Sequence, residues 1–264
     1  MIRRIWLLYR IEVFKASRRR QPYVGPLLLT ALVLLSPLLR PILRDGIQDY
    51  GFIAYITPVA LNFLGYIMLL TFASTLVVSE TARGSVRAIL LRPVLREEFI
   101  LAKVLLGFSY AALLTAVVGV CAWAVAWTRG DLMGVHVGGE LVYTTDEMWK
   151  SYVAGALLSL LPQWAGVSVA VLFSTLARST SMAISLALGS WILVDLAKYP
   201  LGIAPYVFTT YLEAPWRIFS GQCDALAQPW MPMAAWCAAS SGLLIVLPTA
   251  LAILVFKRRN LGAC

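Results

Sequence analysis

The sequence predicts an all-α polytopic membrane protein with six transmembrane helices. Of its 264 residues, 60% are hydrophobic and only 13% are charged, whereas soluble domains carry about a quarter charged residues. Several uncharged runs exceed the roughly 20 residues that a helix needs to cross the hydrocarbon core of a bilayer. Lipid offers the backbone no hydrogen bonds, so each run is expected to be a helix. The whole chain then forms a single membrane domain.

Hydrophobic runs place the six spans at about 23–43, 52–79, 103–127, 151–177, 180–200 and 231–256. The first run contains Pro26, Pro37 and Arg40. Because proline removes a backbone donor and crowds the preceding turn, we expect this span to be bent or broken.

Residues 2–17 are expected to form an amphipathic helix in the membrane interface. At 100° per residue, one arc is apolar and comprises Ile2, Ile5, Trp6, Tyr9 and Val13. Arg3, Arg4 and Lys15 lie opposite this arc. Basic residues here gain from anionic headgroups, so membrane lipid is a predicted partner. The alternative is a frayed basic tail.

Basic residues are distributed unevenly between the two sides of the spans. If the N-terminus is cytosolic, most of the 22 Lys and Arg residues fall in cytosolic segments. Positive residues are retained in the cytosol during insertion, so both termini are predicted to be cytosolic, in the cell (inner or plasma) membrane. The net charge of +9 then reflects topology, and we expect no nucleic acid partner.

Two segments on the other side carry sequence signals of their own. Residues 128–150 form the longest polar loop, and a short alternating stretch through Val142 and Tyr143 favours a small ordered cap. Residues 201–230 contain three prolines among many aromatic residues. Such residues favour the membrane interface, so we expect short re-entrant-like helices before the last span.

The connection between spans two and three, residues 80–103, is the most informative stretch. Arg83 and Arg87 lie four residues apart and therefore on one face of a short helix, with apolar residues on another face. Pro93 ends this helix and fits the first turn of the next one. The segment is thus expected to be structured and amphipathic, although charge alone fits an ordinary basic cytosolic loop.

The order of residues in this stretch resembles the integral-membrane permeases of ABC-2 type ATP-binding-cassette transporters. That family pattern has a Glu, a Gly with Ser or Thr, a hydrophobic pair, a Pro with a nearby Arg, and a Lys that enters span three. The matching positions here are Glu80, Gly84 with Ser85, Leu90 with Leu91, Pro93 with Arg96, and Lys103. The extra Arg83 and Arg92 depart from the pattern.

The resemblance implies that the chain is a permease subunit, most commonly of an exporter, and not itself an enzyme. A second copy or a homologue would complete a dimer, and each subunit would dock a cytosolic ATP-binding-cassette ATPase. ATP and Mg would stay on that ATPase, and this chain would bind no cofactor; its sequence has no phosphate-binding loop. The expected docking residues are Glu80, Arg83, Gly84, Arg87, Leu90, Pro93, Arg96 and Lys103. Arg178, in the turn between spans four and five, is a candidate for a second contact, and the alternative is an ordinary positive-inside turn.

A few polar residues within the spans are candidates for a substrate path, namely Asn62, Gln163 and Asp195. Each has a structural alternative. The two amides also suit packing between helices, and Asp195 lies three residues before Lys198, which favours an ion pair. The single histidine, His136, has no cluster of ligand residues at metal spacing, so no metal site is predicted.

Two other classes of function remain open on the sequence. An ion-coupled carrier or channel would show internal repeats or several buried ionisable residues, and neither is apparent. An intramembrane enzyme would need a nucleophile beside a base, and Ser190 has no histidine within its span.

Overall fold

The computed structural model describes residues 2–39, 49–82, 95–129, 132–137, 140–226 and 228–258. The helices in these residues are α1 (Ile2–Ser17), α2 (Gln21–Leu39), α3 (Asp49–Val59), a π-helix (Ala60–Gly65), α4 (Tyr66–Ala82), α5 (Arg96–Arg129), α6 (Thr145–Leu176), α7 (Thr180–Ala197), α8 (Ala214–Cys223) and α9 (Met233–Arg258). Two 3₁₀-helices, Ala204–Tyr206 and Phe208–Leu212, precede α8. An antiparallel hairpin of β1 (Val135–Val137) and β2 (Glu140–Tyr143) follows α5.

Six helical stretches within the described residues are long and apolar enough to cross a membrane. They are Gln21–Leu38, Tyr50–Ala82, Arg96–Thr128, Thr145–Leu176, Thr180–Ala197 and Met233–Arg258. The prediction of an all-α polytopic membrane protein is confirmed at this level. The amphipathic helix expected at residues 2–17 corresponds to α1.

Helix α2 is not broken at its prolines, so of the two expected forms, bent or broken, the broken one is wrong. It runs without interruption from Gln21 to Leu39, with Pro26 and Pro37 inside it. Pro37 has no N–H to donate to the carbonyl of Val33, four residues back. The hydroxyl of Ser36 donates to this carbonyl instead, at 2.8 Å. A neighbouring hydroxyl thus satisfies the acceptor that proline leaves unpaired.

Helix α6 begins at Thr145, within the stretch predicted to be an outer loop. Thr144 caps it, because its side chain accepts from the backbone N–H of Glu147 while the Glu147 carboxylate accepts from the N–H of Thr144. This reciprocal capping box satisfies two donors at the helix start. The first turn of α6 is polar and comes before the hydrophobic run. The helix therefore begins at Thr145, earlier than the predicted start at 151, which was set from that run alone.

Helix α6 is the central element of the bundle and packs against α4, α5, α7, α8 and α9. Glycines let the neighbours approach. A Cβ at Gly166 would lie 2.0 Å from the hydroxyl of Tyr66 on α4, and one at Gly107 on α5 would lie 2.4 Å from Val167. Such close approach between helices is typical of membrane bundles.

The two ends of the bundle differ in composition. We call the end that carries α1, the start of α5 and the end of α9 the α1 end, and the opposite one the hairpin end. Tyr9 on α1 hydrogen-bonds Ser109 on α5 at 2.7 Å, and Phe256 on α9 stacks on Phe99 with ring centroids 5.4 Å apart. These contacts fasten both α1 and the end of α9 to α5.

Candidate functional site

Four ionisable side chains from three helices meet at the α1 end, and we call them the ion cluster: Glu12, Lys15, Glu80 and Lys103. The ammonium of Lys103 lies 2.8 Å from Glu80 Oε1 and also donates to Glu12 Oε2. Lys15 Nζ lies 2.7 Å from Glu12 Oε1 and 3.4 Å from Glu80 Oε1. The cluster thus joins α1, the end of α4 and the start of α5.

The ion cluster is largely withdrawn from solvent. The side chains of Lys103, Glu80 and Glu12 are 2%, 4% and 8% exposed, whereas that of Lys15 is 35% exposed. Two carboxylates face two ammonium groups, so the formal charges of the four groups sum to zero. Removing one partner from such an arrangement leaves a buried charge uncompensated, which is costly.

The pKa values of Glu12 and Lys15 are both shifted in the direction that favours their charged forms. Burial raises the pKa of Glu12, but the ammonium groups of Lys103 and Lys15 lower it more, so the pKa lies below the ordinary carboxyl value. Burial lowers the pKa of Lys15, but Glu12 and Glu80 raise it more, so the pKa lies above the ordinary value. Both shifts stabilise the ion pairs near neutral pH.

The start of α5 is also fastened to the end of α9. The guanidinium of Arg96 donates to the carbonyls of Phe256 at 3.2 Å and Lys257 at 2.7 Å. Lys257 in turn lies 2.7 Å from Glu97 Oε1. Cations are favourable at a helix C-terminus, where backbone carbonyls lack intrahelical donors. The start of α5 is therefore fixed against the end of α9.

The predicted docking residues divide into two groups in the structure. Glu80 and Lys103 lie in the ion cluster, and Arg96 binds the end of α9. Five others lie outside the described residues: Arg83, Gly84, Arg87, Leu90 and Pro93. Arg178, predicted as a second contact, is exposed in the turn before α7. The adjacent Ala177 packs with Val78 of α4, so this turn lies near the end of α4.

Sequence reasoning did not find Glu12 and Lys15. It assigned Lys15 to the polar side of α1 and gave Glu12 no role. A signal was present, because Glu12 is the sole acid among the first 44 residues, within a strongly basic stretch. The face of α1 that packs against the bundle also differs from the apolar arc, which was predicted to face the membrane. Glu12 is buried on it, whereas Trp6 is 59% and Val13 39% exposed.

A pocket of about 810 Å³ lies between α2, α3, the π-helix, α7 and α8. Asn62, within the π-helix, and Asp195, on α7, both line it, so the structure brings together two of the three predicted path residues. Aromatic rings of Tyr55, Trp191 and Trp216 form much of the remaining wall. We call this space the Asn62 pocket.

The Asn62 pocket contains hydrogen-bonding groups without protein partners. Both side-chain polar atoms of Asn62 and the indole nitrogen of Trp216 are buried and have no hydrogen-bond partner within the described part of the chain. Unpaired buried polar groups cost free energy, so they are rare and call for an explanation. π-Helical turns also concentrate at functional sites. Two residues that line the pocket, Asn62 and Trp216, therefore carry buried polar atoms that the described contacts leave unpaired.

The other predicted path residues have protein partners. Asp195 Oδ1 accepts from Lys198 Nζ at 2.5 Å, so the predicted ion pair is confirmed. Gln163 lies on α6 and exchanges hydrogen bonds with Thr115 on α5 at 3.3 and 3.4 Å. Gln163 is not among the residues that line the Asn62 pocket. Its contacts agree with the packing alternative.

The described residues contain no group of three or more His, Cys, Asp or Glu side chains placed to hold a metal ion. The hydroxyl of Ser190 donates to the backbone carbonyl of Ala187 at 3.0 Å, which is an ordinary contact within a helix. The ion cluster and the Asn62 pocket are therefore the sites around which a function can be argued.

The fold and these two sites define a multi-pass membrane protein with a buried charge cluster at one end and a hydrogen-bonding pocket between its helices. Residues 43–261 match the family described as Protein of unknown function (DUF2705). This match covers more than half of the chain, which therefore belongs to that family. A comparison with curated proteins gave no match.

Proposed function

We propose that the chain is the membrane-spanning permease subunit of an ATP-binding-cassette exporter, driven by a separate cytosolic ATPase that docks on residues 80–103. The observation that carries this proposal is the ion pair between Glu80 and Lys103, the first and last residues of the stretch that resembles the ABC-2 pattern. In the proposed orientation both termini and the ion cluster face the cytosol.

The ion cluster suits mechanical coupling. Glu80 and Lys103, the two ends of the 80–103 segment, contact each other where α1 is also bound. A force on this segment would therefore act on α1, α4 and α5 together. Arg96 extends the connection to α9, because it binds the carbonyls at the end of that helix. An ATPase that closes on the segment would move several helices as a unit.

The Asn62 pocket suits a substrate path in the same scheme. Its wall combines aromatic surface with the unpaired amide of Asn62 and the indole N–H of Trp216. Ligand sites are typically apolar with a few polar groups that fix orientation. We propose Asn62 and Asp195 as path residues. Because Gln163 is paired with Thr115 outside this pocket, we do not extend the path to it.

An ion-coupled carrier or channel is the second candidate, and the ion cluster is the observation that favours it. Buried ionisable residues mark proton and ion pathways in many membrane proteins. Here, however, the two carboxylates are compensated by two lysines, and the cluster lies where α1 meets the ends of two spans, away from the Asn62 pocket. A carrier would move substrate with an ion gradient and without ATP.

Co-purification tests the permease proposal. The chain, extracted in mild detergent from its native cells, should retain a soluble ATPase. The double substitution Arg83→Glu with Arg87→Glu should release this ATPase. Lys150→Glu with Arg217→Glu is a matched control, because it makes the same charge change at exposed sites of the hairpin end. Absence of any ATPase from the wild-type complex, or transport by the isolated chain driven by an ion gradient, would contradict the proposal.

A further inference from the structure

The wall of the Asn62 pocket is rich in aromatic rings. Four aromatic side chains line the pocket, and they come from four different elements: α3, the π-helix, α7 and α8. They are Tyr55, Phe63, Trp191 and Trp216. Tyr55 is 43% and Phe63 66% exposed, which leaves ring surface accessible. Aromatic faces attract cations, because the ring quadrupole is negative over the face.

The charged groups that line the same pocket are two carboxylates and one guanidinium. Asp195 lies on α7, Glu213 directly precedes α8, and Arg217 lies on α8. Arg217 donates to Glu213 at 3.0 Å, and both side chains are more than half exposed. The lining therefore carries one more negative than positive charge.

The cation that pairs with Asp195 is not part of this lining. Lys198 Nζ lies 2.5 Å from Asp195 Oδ1, but the side chain of Lys198 is only 3% exposed, whereas that of Asp195 is 41% exposed. The ammonium lies 5.0 Å from the ring centroid of Tyr199, which is also outside the lining. A carboxylate has two oxygens and about four acceptor sites, so one bond to Lys198 does not saturate Asp195. Of the two partners, only the acid lines the pocket.

We propose that the Asn62 pocket binds an organic monocation, an ammonium or phosphonium centre with apolar substituents. The aromatic wall contacts the substituents and attracts the charge, and Asp195 and Glu213 supply the negative potential. An organic anion is repelled by the same two carboxylates. The volume of about 810 Å³ lies within the usual range for small-molecule sites. This inference rests on the proposed function, because it names the class of substrate for the proposed path.

Two probes of nearly the same shape and opposite charge test this inference. Tetraphenylphosphonium is a cation, and tetraphenylborate carries the same four phenyl groups on a negative centre. Equilibrium dialysis of the isolated chain in an uncharged detergent measures the binding of each probe, with protein-free micelles as the blank. The phosphonium should bind saturably and about tenfold more tightly than the borate, because reversing the charge acts at two exposed carboxylates that each contribute a few-fold.

Two charge variants test the carboxylates separately. Glu213→Gln should weaken phosphonium binding by about two- to fivefold, the contribution of one exposed charge pair. Lys198→Met removes the cation that competes for Asp195, and it should tighten phosphonium binding by a similar factor. A gain in affinity cannot arise from misfolding. Glu140→Gln is the matched control, because it makes the same charge change at an exposed residue of the hairpin that does not line the pocket.

A third pair of variants tests the aromatic wall. Phe63→Leu keeps an apolar side chain in the π-helix but removes the ring, and it should weaken phosphonium binding by about two- to fivefold. Phe63→Tyr keeps the ring and should retain the affinity. Because Phe63 is 66% exposed, neither change is expected to disturb the packing of the helices.

Four results would overturn the inference. They are the absence of saturable phosphonium binding, equal affinity for the two probes, an equal loss in Glu140→Gln and Glu213→Gln, and an affinity that Glu213→Gln and Lys198→Met both leave unchanged. The last result would show that Asp195 serves only as the partner of Lys198.

The dialysis also separates this inference from the proposed function, because it uses the chain without an ATPase. If phosphonium binding is as expected but no ATPase co-purifies, the permease proposal fails and the cation site stands. If an ATPase co-purifies but the two probes bind equally, only the substrate class is wrong.

Discussion

Lys103 Nζ lies 2.8 Å from Glu80 Oε1, although the two residues are 23 positions apart in the chain. The segment between them therefore begins and ends at one point of the bundle, and Glu12 of α1 binds the same ammonium group. Helix α1, the end of α4 and the start of α5 are thus joined through one buried cation. The first two predictions below concern this cluster.

Lys103→Met is expected to lower the free energy of unfolding by about 3–5 kcal/mol, since it leaves two buried carboxylates with only the half-buried Lys15. Thermal unfolding in detergent measures the change. Lys150→Met is the matched control, because Lys150 forms a pair with Asp146 in which both side chains are about 70% exposed. Equal effects of the two substitutions would refute the structural importance of the ion cluster.

Glu12→Gln is expected to weaken the dependence of stability on acid pH. The folded-state pKa of Glu12 is below its unfolded value, because Lys103 and Lys15 outweigh the effect of burial. Its stabilisation is therefore complete above the ordinary carboxyl pKa of about 4.3 and is lost as the pH falls through the lower folded-state pKa. Melting temperatures between pH 3 and 7 should fall less steeply in the variant. Parallel curves would contradict the assigned shift.

Asn62→Leu is expected to stabilise the protein by about 1–3 kcal/mol, because it removes an unpaired buried amide. Gln163→Met is the control for this change. It removes an amide that is paired with Thr115, and it should destabilise. If Asn62 serves a substrate path, Asn62→Leu should also reduce transport while raising the melting temperature, as expected for groups retained for function at a cost in stability. Destabilisation by Asn62→Leu would contradict the unpaired state of the amide.

Gly166→Ala is expected to destabilise the contact between α4 and α6 by about 1–3 kcal/mol, because its Cβ would lie 2.0 Å from the hydroxyl of Tyr66. Combining it with Tyr66→Phe should restore part of the loss. Gly189→Ala on α7, where a Cβ has nothing within 4 Å, should be neutral or stabilising, as expected in an exposed helix interior. Similar melting temperatures for both alanine variants would argue against the close approach.

Local sequence was sufficient for the class of fold. A hydrophobic run long enough to cross a bilayer must be helical, because lipid offers the backbone no hydrogen bonds. Most ends of the predicted spans lie within a few residues of the observed helix ends. Larger differences arose at the starts of α5 and α6, which begin at Arg96 and Thr145 and not at the predicted 103 and 151. At both ends a polar first turn, capped by Thr144 in α6, extends the helix beyond its apolar run. Hydropathy does not report this effect, because it depends on polar residues outside the apolar run.

The sequence by itself determined that the chain is a polytopic helical bundle, and it singled out Glu80, Lys103, Asn62 and Asp195 as polar residues that need an explanation. Only the tertiary structure decided which of them meet. It placed Glu12 against Lys103 by turning one face of α1 toward α5, and it separated Gln163 from Asn62 by facing them to different neighbours. The direction in which a helix faces depends on its packing against other helices, which no local pattern specifies.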